Sequence, residues 1–316
     1  MSTTLARAGV TIVERRARVG ELDLFYLDAA GDSPLVLLHG LSANASSFSA
    51  LIHAGLAPAF RVLAPDLRGR ARSDKPAFGY TMAYHAGDVI GLMDQLGVER
   101  ATLVGHSFGG YLGIYLAAHF PNRFGRLVVI DAAITSHPRV GEMLKPSLDR
   151  LGKTVASPDS YLDAIKSAPY MNGIWDAHVE SYFRAELVQN PDGTAQSATS
   201  PSGIGQAAYG LACEPWLHLV QQVRQPTLLI NATEPYGPPG TPPLMEETWA
   251  RATANAFPNG HYTRVPGNHI TMLFADGASA MAREIRSFGH HARSEGSALA
   301  TGAPNADPSP SLRSGS

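Results

Sequence analysis

One serine stands in a spacing that is typical of a catalytic nucleophile. The residues around it fit the pattern G-x-S-x-G and are Gly105, His106, Ser107, Phe108 and Gly109. A serine hydroxyl at the centre of this pattern can attack an acyl carbon when an imidazole removes its proton. The pattern alone is weak evidence because glycine and serine are common in this chain, so its meaning depends on the neighbouring elements.

The elements that flank Ser107 are those that such a nucleophile requires. The apolar residues 101–104 (ATLV) predict a strand that leads into the motif, and residues 108–120 predict a helix that leaves it. Strand, tight turn and helix in this order form a nucleophile elbow, which needs small residues such as Gly105 and Gly109 around the serine. The start of the helix directs N–H groups toward negative charge that develops beside the hydroxyl.

A second loop is expected beside this elbow. The apolar residues 34–38 (PLVLL) end at His39 and Gly40, and Leu41 follows. In a parallel sheet this loop runs along the same edge as the elbow. The backbone N–H groups of Leu41 and Phe108 are therefore candidate donors of an oxyanion hole. We expect His39 and Gly40 to shape the loop rather than to perform chemistry.

The base that serves the serine is predicted to be His269, one of twelve histidines. It follows the last apolar strand and precedes the last predicted helix, so it should lie where the carboxyl ends of the strands open. The side chain of His106 is expected to point away from that edge. Since no two histidines have a spacing of the H-E-x-x-H type, no metal site is predicted.

Short apolar runs recur along the chain and predict a buried parallel sheet. They occupy residues 34–38, 61–64, 101–104, 126–130 and 226–230. Helical patterns lie between them, at 84–96, 108–120 and 270–288, and an antiparallel pair of strands is predicted at 10–19 and 22–27. The alternation of strand and helix predicts an α/β fold with a doubly wound, mostly parallel sheet.

One long segment interrupts this alternation. Residues 136–222 lie between two predicted sheet strands but contain only helix-like patterns, so they are predicted to form an inserted helical cap. Residues 1–135 and 223–293 then make up the core domain. Residues 294–316 are rich in Gly, Ala, Ser and Pro, which predicts a disordered tail.

Composition excludes several other classes of protein. The 316 residues include 25 basic and 27 acidic side chains, a formal net charge of -2, so binding to nucleic acid or to an anionic membrane is not expected. No apolar run approaches the ~18 residues of a membrane span. The N-terminus lacks the apolar stretch of a secretory signal. We therefore expect a soluble, cytoplasmic protein, while its oligomeric state stays open.

Taken together, these motifs resemble those of the α/β-hydrolase superfamily, in its cap-bearing serine esterase and hydrolase branch. The resemblance is carried by His39-Gly40, residues 66–74 (DLRGRARSD), residues 105–110 (GHSFGG) and Gly267-Asn-His269, in the family's order. It implies a Ser–His–acid triad, no cofactor and a cap that closes over the substrate. Family members usually have Gly where this chain has Ala71, in a segment that we expect to shape a loop.

The acid of the triad is where the chain departs from the family pattern. The usual position follows the strand after the cap, in a Gly-x-x-Asp setting, but this chain reads Ala232-Thr-Glu234-Pro235 there. Some family members carry the acid after the strand before the cap, where this chain has Asp131. We therefore predict Asp131 as the acid and keep Glu234 as the alternative.

The predicted function is hydrolysis of a carboxylic ester, lactone or thioester by the nucleophilic serine. The predicted substrate is small and largely apolar. The dehalogenases and epoxide hydrolases of this fold attack with a carboxylate, so Ser107 disfavours those activities. Hydrolysis of a C–C bond uses the same triad and stays open. A non-catalytic ligand-binding protein with a hydrolase fold is the remaining alternative, because a fold alone does not establish an activity.

Overall fold

The structure is a computed structural model that describes residues 5–7, 9–135, 137–238 and 240–299. The strands within these ranges are β1 Leu5–Arg7, β2 Val10–Val19, β3 Leu22–Ala29, β4 Ser33–Leu38, β5 Phe60–Pro65, β6 Ala101–His106, β7 Phe124–Ile130, β8 Thr154–Val155, β9 Leu187–Gln189, β10 Ala195–Ser197, β11 Thr227–Ala232 and β12 Gly260–Val265. The helices are α1 Ser49–Leu51, α2 Met82–Gln95, α3 Phe108–His119, α4 Val140–Leu148, α5 Pro158–Lys166, α6 Ala177–Arg184, α7 Pro201–Ala212, α8 Trp216–Gln222, α9 Glu247–Ala256 and α10 Ala275–Leu299.

The main sheet has the order β1-β2-β3-β5-β4-β6-β7-β11-β12. The strands from β5 to β12 in this order pair in parallel, whereas β1, β2 and β3 form an antiparallel edge. This arrangement confirms the predicted α/β fold with a mostly parallel sheet.

Helices cover both faces of this sheet. Leu35 and Leu37 of β4 pack into the layer that contains α1 and α10, while Val36 and Leu38 pack into the layer that contains α2, α3 and α9. Successive side chains of a strand point to opposite faces, so a strand covered on both sides is apolar at most of its positions. This explains why the run at 34–38 contains no polar residue.

The cap between β7 and β11 contains α4 to α8 and differs from the prediction in one respect. The expectation of helix-like patterns alone is corrected, because β8, β10 and β9 form a three-stranded antiparallel sheet. Each of these strands is only two or three residues long. Alternation over so few residues carries no usable signal.

The C-terminal boundary also differs from the prediction. Helix α10 runs from Ala275 to Leu299, so the tail predicted to begin at 294 is helical over its first residues. Residues 300–316 of that predicted tail lie outside the described residues. Among the helices that the structure describes, none is long and apolar enough to cross a membrane.

Candidate active site

The register of the sheet brings three loops together at one edge. Leu38 of β4 is aligned with Gly105 of β6, and His106 is aligned with Ile130 of β7. The residues that follow these strands are His39, Ser107 and Asp131. Parallel strands end at the same edge of a sheet, so these three residues are neighbours. The edge therefore carries the loop of the predicted oxyanion donors, the predicted nucleophile and the predicted acid.

Ser107 occupies the tight turn between β6 and α3. Its backbone has φ 54° and ψ −119°, a conformation that residues other than glycine rarely adopt. The N–H of Ser107 donates to the carbonyl of Ile130 at 2.8 Å, which ties the turn to the neighbouring strand. A strained serine between a strand and a helix is the geometry of a nucleophile elbow.

Two glycines allow the chain to make this turn. A Cβ added at Gly105 would lie 2.0 Å from the carbonyl oxygen of Gly109, and one added at Gly109 would lie 2.0 Å from that of Leu38. Both contacts involve backbone atoms, which cannot move aside as a side chain can. Any larger residue at either position must therefore displace a strand or the start of α3.

We expect Gly109→Ala to destabilise the protein strongly, by several kcal/mol, because the new methyl group overlaps the carbonyl of Leu38. Gly87→Ala is the matched control, since Gly87 lies exposed in α2 with no atom within 4 Å of an added Cβ. That change should stabilise the helix by about 0.5–1 kcal/mol. Thermal unfolding of both variants checks the prediction, and equal midpoints would contradict it.

His269 and Asp131 are in direct contact. The distance from Nδ1 of His269 to Oδ2 of Asp131 is 2.7 Å, and both residues are buried. The other oxygen of Asp131 accepts from the N–H of Ala232 at 2.8 Å and from the side-chain amide of Asn231 at 3.1 Å. Burial raises the pKa of Asp131, but the hydrogen bonds from His269, Ala232 and Asn231 outweigh it and lower that pKa overall.

Glu234 has a different partner. Its carboxylate accepts from the side-chain amide of Asn172 in the cap at 3.1 Å, and its own N–H donates to the carbonyl of Gly267. The structure therefore brings Asp131, and not Glu234, to the imidazole of His269. Asn231 is a partner of Asp131 that the sequence analysis did not identify, although its position at the end of an apolar strand was a usable signal.

The loop that carries Leu41 lies against the elbow. A Cβ added at Gly40 would lie 3.5 Å from the Cβ of Ser107. The buried guanidinium of Arg70 donates from Nε to the carbonyl of Leu41 at 3.0 Å and lies 5.1 Å from the ring centroid of Phe108. Arg70 thus contacts both residues whose N–H groups are the predicted oxyanion donors. It belongs to the 66–74 segment, in which sequence analysis predicted only a loop.

Two further histidines hold the surrounding loops. His39 accepts from the N–H of Leu67 at 2.9 Å, which leaves its Nδ1–H to donate to the carbonyl of Gly40 at 2.8 Å. His106 does not point away from the site as expected. Its ring lies 4.7 Å from the ring of His269, and its Nε2 is 2.8 Å from the carbonyl oxygen of that residue. Burial lowers the pKa of His39 and of His106 to about 3, so both are neutral at pH 7.

Two cavities meet at Ser107 and His269. They share the side chains of Leu41, Leu144 and Leu148, so α4 of the cap covers both. One has a volume of about 280 Å³ and is lined mainly by apolar residues, and the other has a volume of about 60 Å³. Among the described residues, no group of three His, Cys, Asp or Glu side chains is arranged to hold a metal ion.

Comparison with known families assigns the class of this chain. A family model of the alpha/beta hydrolase fold matches residues 33–275. This range includes β4, β6 and β7 and the loops of the site that follow them. The chain therefore belongs to the α/β-hydrolase family, as its motifs indicated. The crystal structure of an E-2-(acetamidomethylene)succinate hydrolase has the same fold, with a TM-score of 0.76 and 23% identity over 88% of this chain and 98% of that one.

Curated relatives differ in what their names describe. The magnesium-chelatase 30 kDa subunit of Rhodobacter capsulatus is 36% identical over 278 residues, 84% of this chain and 92% of its own length. The 2-(acetamidomethylene)succinate hydrolase of Mesorhizobium japonicum is 29% identical over 221 residues, 69% of this chain and 77% of its own. An uncharacterized protein of Mycobacterium tuberculosis is 41% identical over 104 residues, 33% of this chain but only 30% of that protein.

Proposed function

We propose that the protein is a serine hydrolase that cleaves a carboxylic ester of a small, largely apolar substrate. The observation that carries this proposal is the 2.7 Å bond between His269 and Asp131 at the same cavity as the strained Ser107. Nucleophile, base and acid are the three roles that acyl transfer needs. Membership of a family of hydrolases supports the same conclusion.

In the first step of the proposed reaction, Oγ of Ser107 attacks the acyl carbon while Nε2 of His269 takes the hydroxyl proton. The carbonyl oxygen becomes an oxyanion, which accepts hydrogen bonds from the N–H groups of Leu41 and Phe108. Asp131 remains ionised and stabilises the imidazolium through Nδ1. The lowered pKa of the Asp131 carboxyl supports this role, because only the carboxylate form can do so.

In the second step the imidazolium of His269 gives its proton to the leaving alcohol as the C–O bond breaks. An acyl-serine remains on Ser107. Water then attacks this ester, with His269 as general base, and the acid product leaves with Ser107 restored. Lactones and thioesters follow the same steps with a different leaving group. C–C bond hydrolysis is the alternative with this triad, and its leaving group is a carbanion that His269 must protonate.

A fluorophosphonate probe tests the nucleophile directly. We expect one covalent adduct per chain, on the peptide that contains Ser107, together with release of naphthol from short-chain naphthyl esters. Peptide mass spectrometry and absorbance measure the two results. A folded protein that neither takes the label nor hydrolyses ester, lactone or thioester panels would rule out the proposal.

A second candidate is a role alongside a magnesium chelatase. It is favoured by the similarity to the Rhodobacter capsulatus subunit over most of both chains. The two candidates separate in an assay that measures the rate of a purified magnesium chelatase with and without this protein. Stimulation by wild type and Ser107→Ala alike would support a role that needs no nucleophile. Stimulation by wild type alone would indicate that hydrolysis serves the chelatase, and no effect would dismiss the second candidate.

A further inference from the structure

The two cavities at Ser107 differ in their chemistry as well as in their size. The 280 Å³ cavity is lined by apolar side chains of both core and cap, among them Phe108, Val140, Leu211 and Met245. The 60 Å³ cavity is lined on its far side by tyrosines and by Arg150. A substrate bound at Ser107 therefore meets a mainly apolar surface in both cavities, and in the small one it also meets the tyrosines and Arg150.

Tyrosine hydroxyls supply the polar groups of the small cavity. Tyr170, Tyr182 and Tyr236 are buried residues that line it. The side chain of Ser147 lowers the pKa of the Tyr236 hydroxyl. The hydroxyls of Tyr170 and Tyr182 have no hydrogen-bond partner among the described residues, which leaves two donors available to a ligand. A ligand oxygen that accepts from such a hydroxyl gains the net free energy of one hydrogen bond.

The positive charge of Arg150 is already offset. Its Nε and Nη2 bind the two oxygens of the buried Glu186 carboxylate at 2.9 and 3.0 Å. Nη2 also donates to the carbonyl of Ser42 at 3.2 Å, and Nη1 donates to that of Ser147. A guanidinium with this many fixed partners does not provide the free charge that a buried carboxylate ligand would need.

The tyrosines remain neutral donors at physiological pH. Burial raises the pKa of Tyr236 to about 12, and burial likewise raises the pKa values of Tyr170 and Tyr182. A protonated phenol donates to a neutral oxygen, and because the charge of Arg150 is already paired with Glu186, the cavity offers an anion no unpaired positive charge. The chemistry of the small cavity thus favours an uncharged group with an accepting oxygen.

We propose, on the basis of the hydrolase function above, that the substrate is an ester with two unequal arms. The arm in the small cavity is uncharged and presents an oxygen to Tyr170 and Tyr182. It has about four to six non-hydrogen atoms at most, since a water-sized group needs ~10–15 Å³ of this volume. The other arm is bulky and apolar and fills the 280 Å³ cavity. A dicarboxylate such as the one in the name of the Mesorhizobium enzyme does not fit this description.

Matched esters test this inference. 2-Naphthyl methoxyacetate and 2-naphthyl butyrate have arms of the same length and differ by one ether oxygen, and 2-methoxyethyl and butyl 2-naphthoate make the same comparison in the reverse orientation. In one of the two orientations, we expect kcat/KM to be about tenfold higher for the ether ester than for its hydrocarbon counterpart, after correction for the rate of alkaline hydrolysis of each ester. A tenfold difference corresponds to one hydrogen bond of ~1.4 kcal/mol. 2-Naphthyl octanoate, whose acyl arm exceeds this limit, and 2-naphthyl hemisuccinate, whose acyl arm is charged, should be poorer substrates than the butyrate.

The tyrosines provide the matched variants. Replacing both Tyr170 and Tyr182 by Phe should abolish the preference for the ether, so that the kcat/KM values for the ether ester and for its butyl or butyrate counterpart become about equal. Tyr209→Phe is the control, because Tyr209 is an exposed tyrosine of the cap helix α7, and it should change neither rate. A preference that survives the double replacement, or a faster reaction with hemisuccinate, would overturn the inference.

Binding separates failure of this inference from failure of the proposed function. The Ser107→Ala variant should bind 2-naphthyl methoxyacetate about tenfold more tightly than the butyrate, or the corresponding naphthoate pair in the same ratio, in calorimetric titrations. If no ester is hydrolysed but this ratio is found, the subsite exists and hydrolysis is wrong. If esters are hydrolysed but all four bind equally, the proposed function stands and the two-arm substrate is wrong.

Discussion

Replacing Ser107 by Ala should lower kcat for ester hydrolysis by about 10³-fold or more and leave the fold intact. The hydroxyl supplies the only protein atom that becomes bonded to the acyl group in the proposed reaction, so no neighbouring side chain can take its place. Alanine is smaller than serine and adopts the same backbone conformations, so the turn between β6 and α3 is preserved. Steady-state kinetics with a naphthyl ester, together with thermal unfolding, checks the result.

A serine elsewhere on the surface provides the control for this variant. Ser202→Ala removes an exposed hydroxyl from the cap helix α7, where its neighbour is Ser200. We expect wild-type kcat and wild-type labelling by a fluorophosphonate. If Ser107→Ala folds normally and still turns over ester at near the wild-type rate, the measured hydrolysis does not come from this site and the serine-hydrolase proposal fails.

The core of the fold was predictable because each of its signals is local. A strand that is buried on both faces is apolar at most of its positions, which marks β4, β5, β6, β7 and β11 in the sequence. The elbow motif identifies the turn after β6, since glycines at 105 and 109 are required where a Cβ would overlap backbone oxygens. His39, Ser107 and Asp131 all follow such strands, so the parallel order alone predicts that they meet at one edge.

The cap could not be read from the sequence in the same way. Its strands are two or three residues long. Arg150 and Glu186 form a buried ion pair although β8, α5 and α6 lie between them in the chain. Pairings of this kind depend on the tertiary fold and leave no periodic pattern. The orientation of the His106 side chain could not be predicted for the same reason. Its contact with the carbonyl of His269 joins positions that are 163 residues apart.

The assignment of the triad acid needs local sequence signals as well as tertiary contacts. Asp131 and Glu234 each follow a sheet strand, and residue type and position alone left the two open. Tertiary contacts distinguish them: the carboxylate of Asp131 lies 2.7 Å from His269, whereas that of Glu234 binds Asn172 of the cap. An experiment that removes one negative charge at a time can therefore test the assignment directly.

We expect Asp131→Asn to lower kcat by about 10²- to 10⁴-fold, and Glu234→Gln to change it by less than about threefold. An amide at position 131 presents either a donor or a neutral oxygen to Nδ1 of His269, so it no longer stabilises the imidazolium that forms when Ser107 attacks. Its oxygen can still accept from the N–H of Ala232, which should preserve the local fold. Kinetics with the same ester and thermal unfolding of both variants provide the measurement.

The pair of variants contains its own control, because each removes one carboxylate from the carboxyl end of the sheet and retains the shape of the side chain. A loss of activity that follows from reduced net charge or from local disturbance would appear in both. A loss confined to Asp131→Asn in a folded protein requires a specific partner, and His269 is the titratable side chain that Asp131 contacts among the described residues. If Glu234→Gln is crippled while Asp131→Asn is not, the acid follows the strand after the cap and our assignment is wrong.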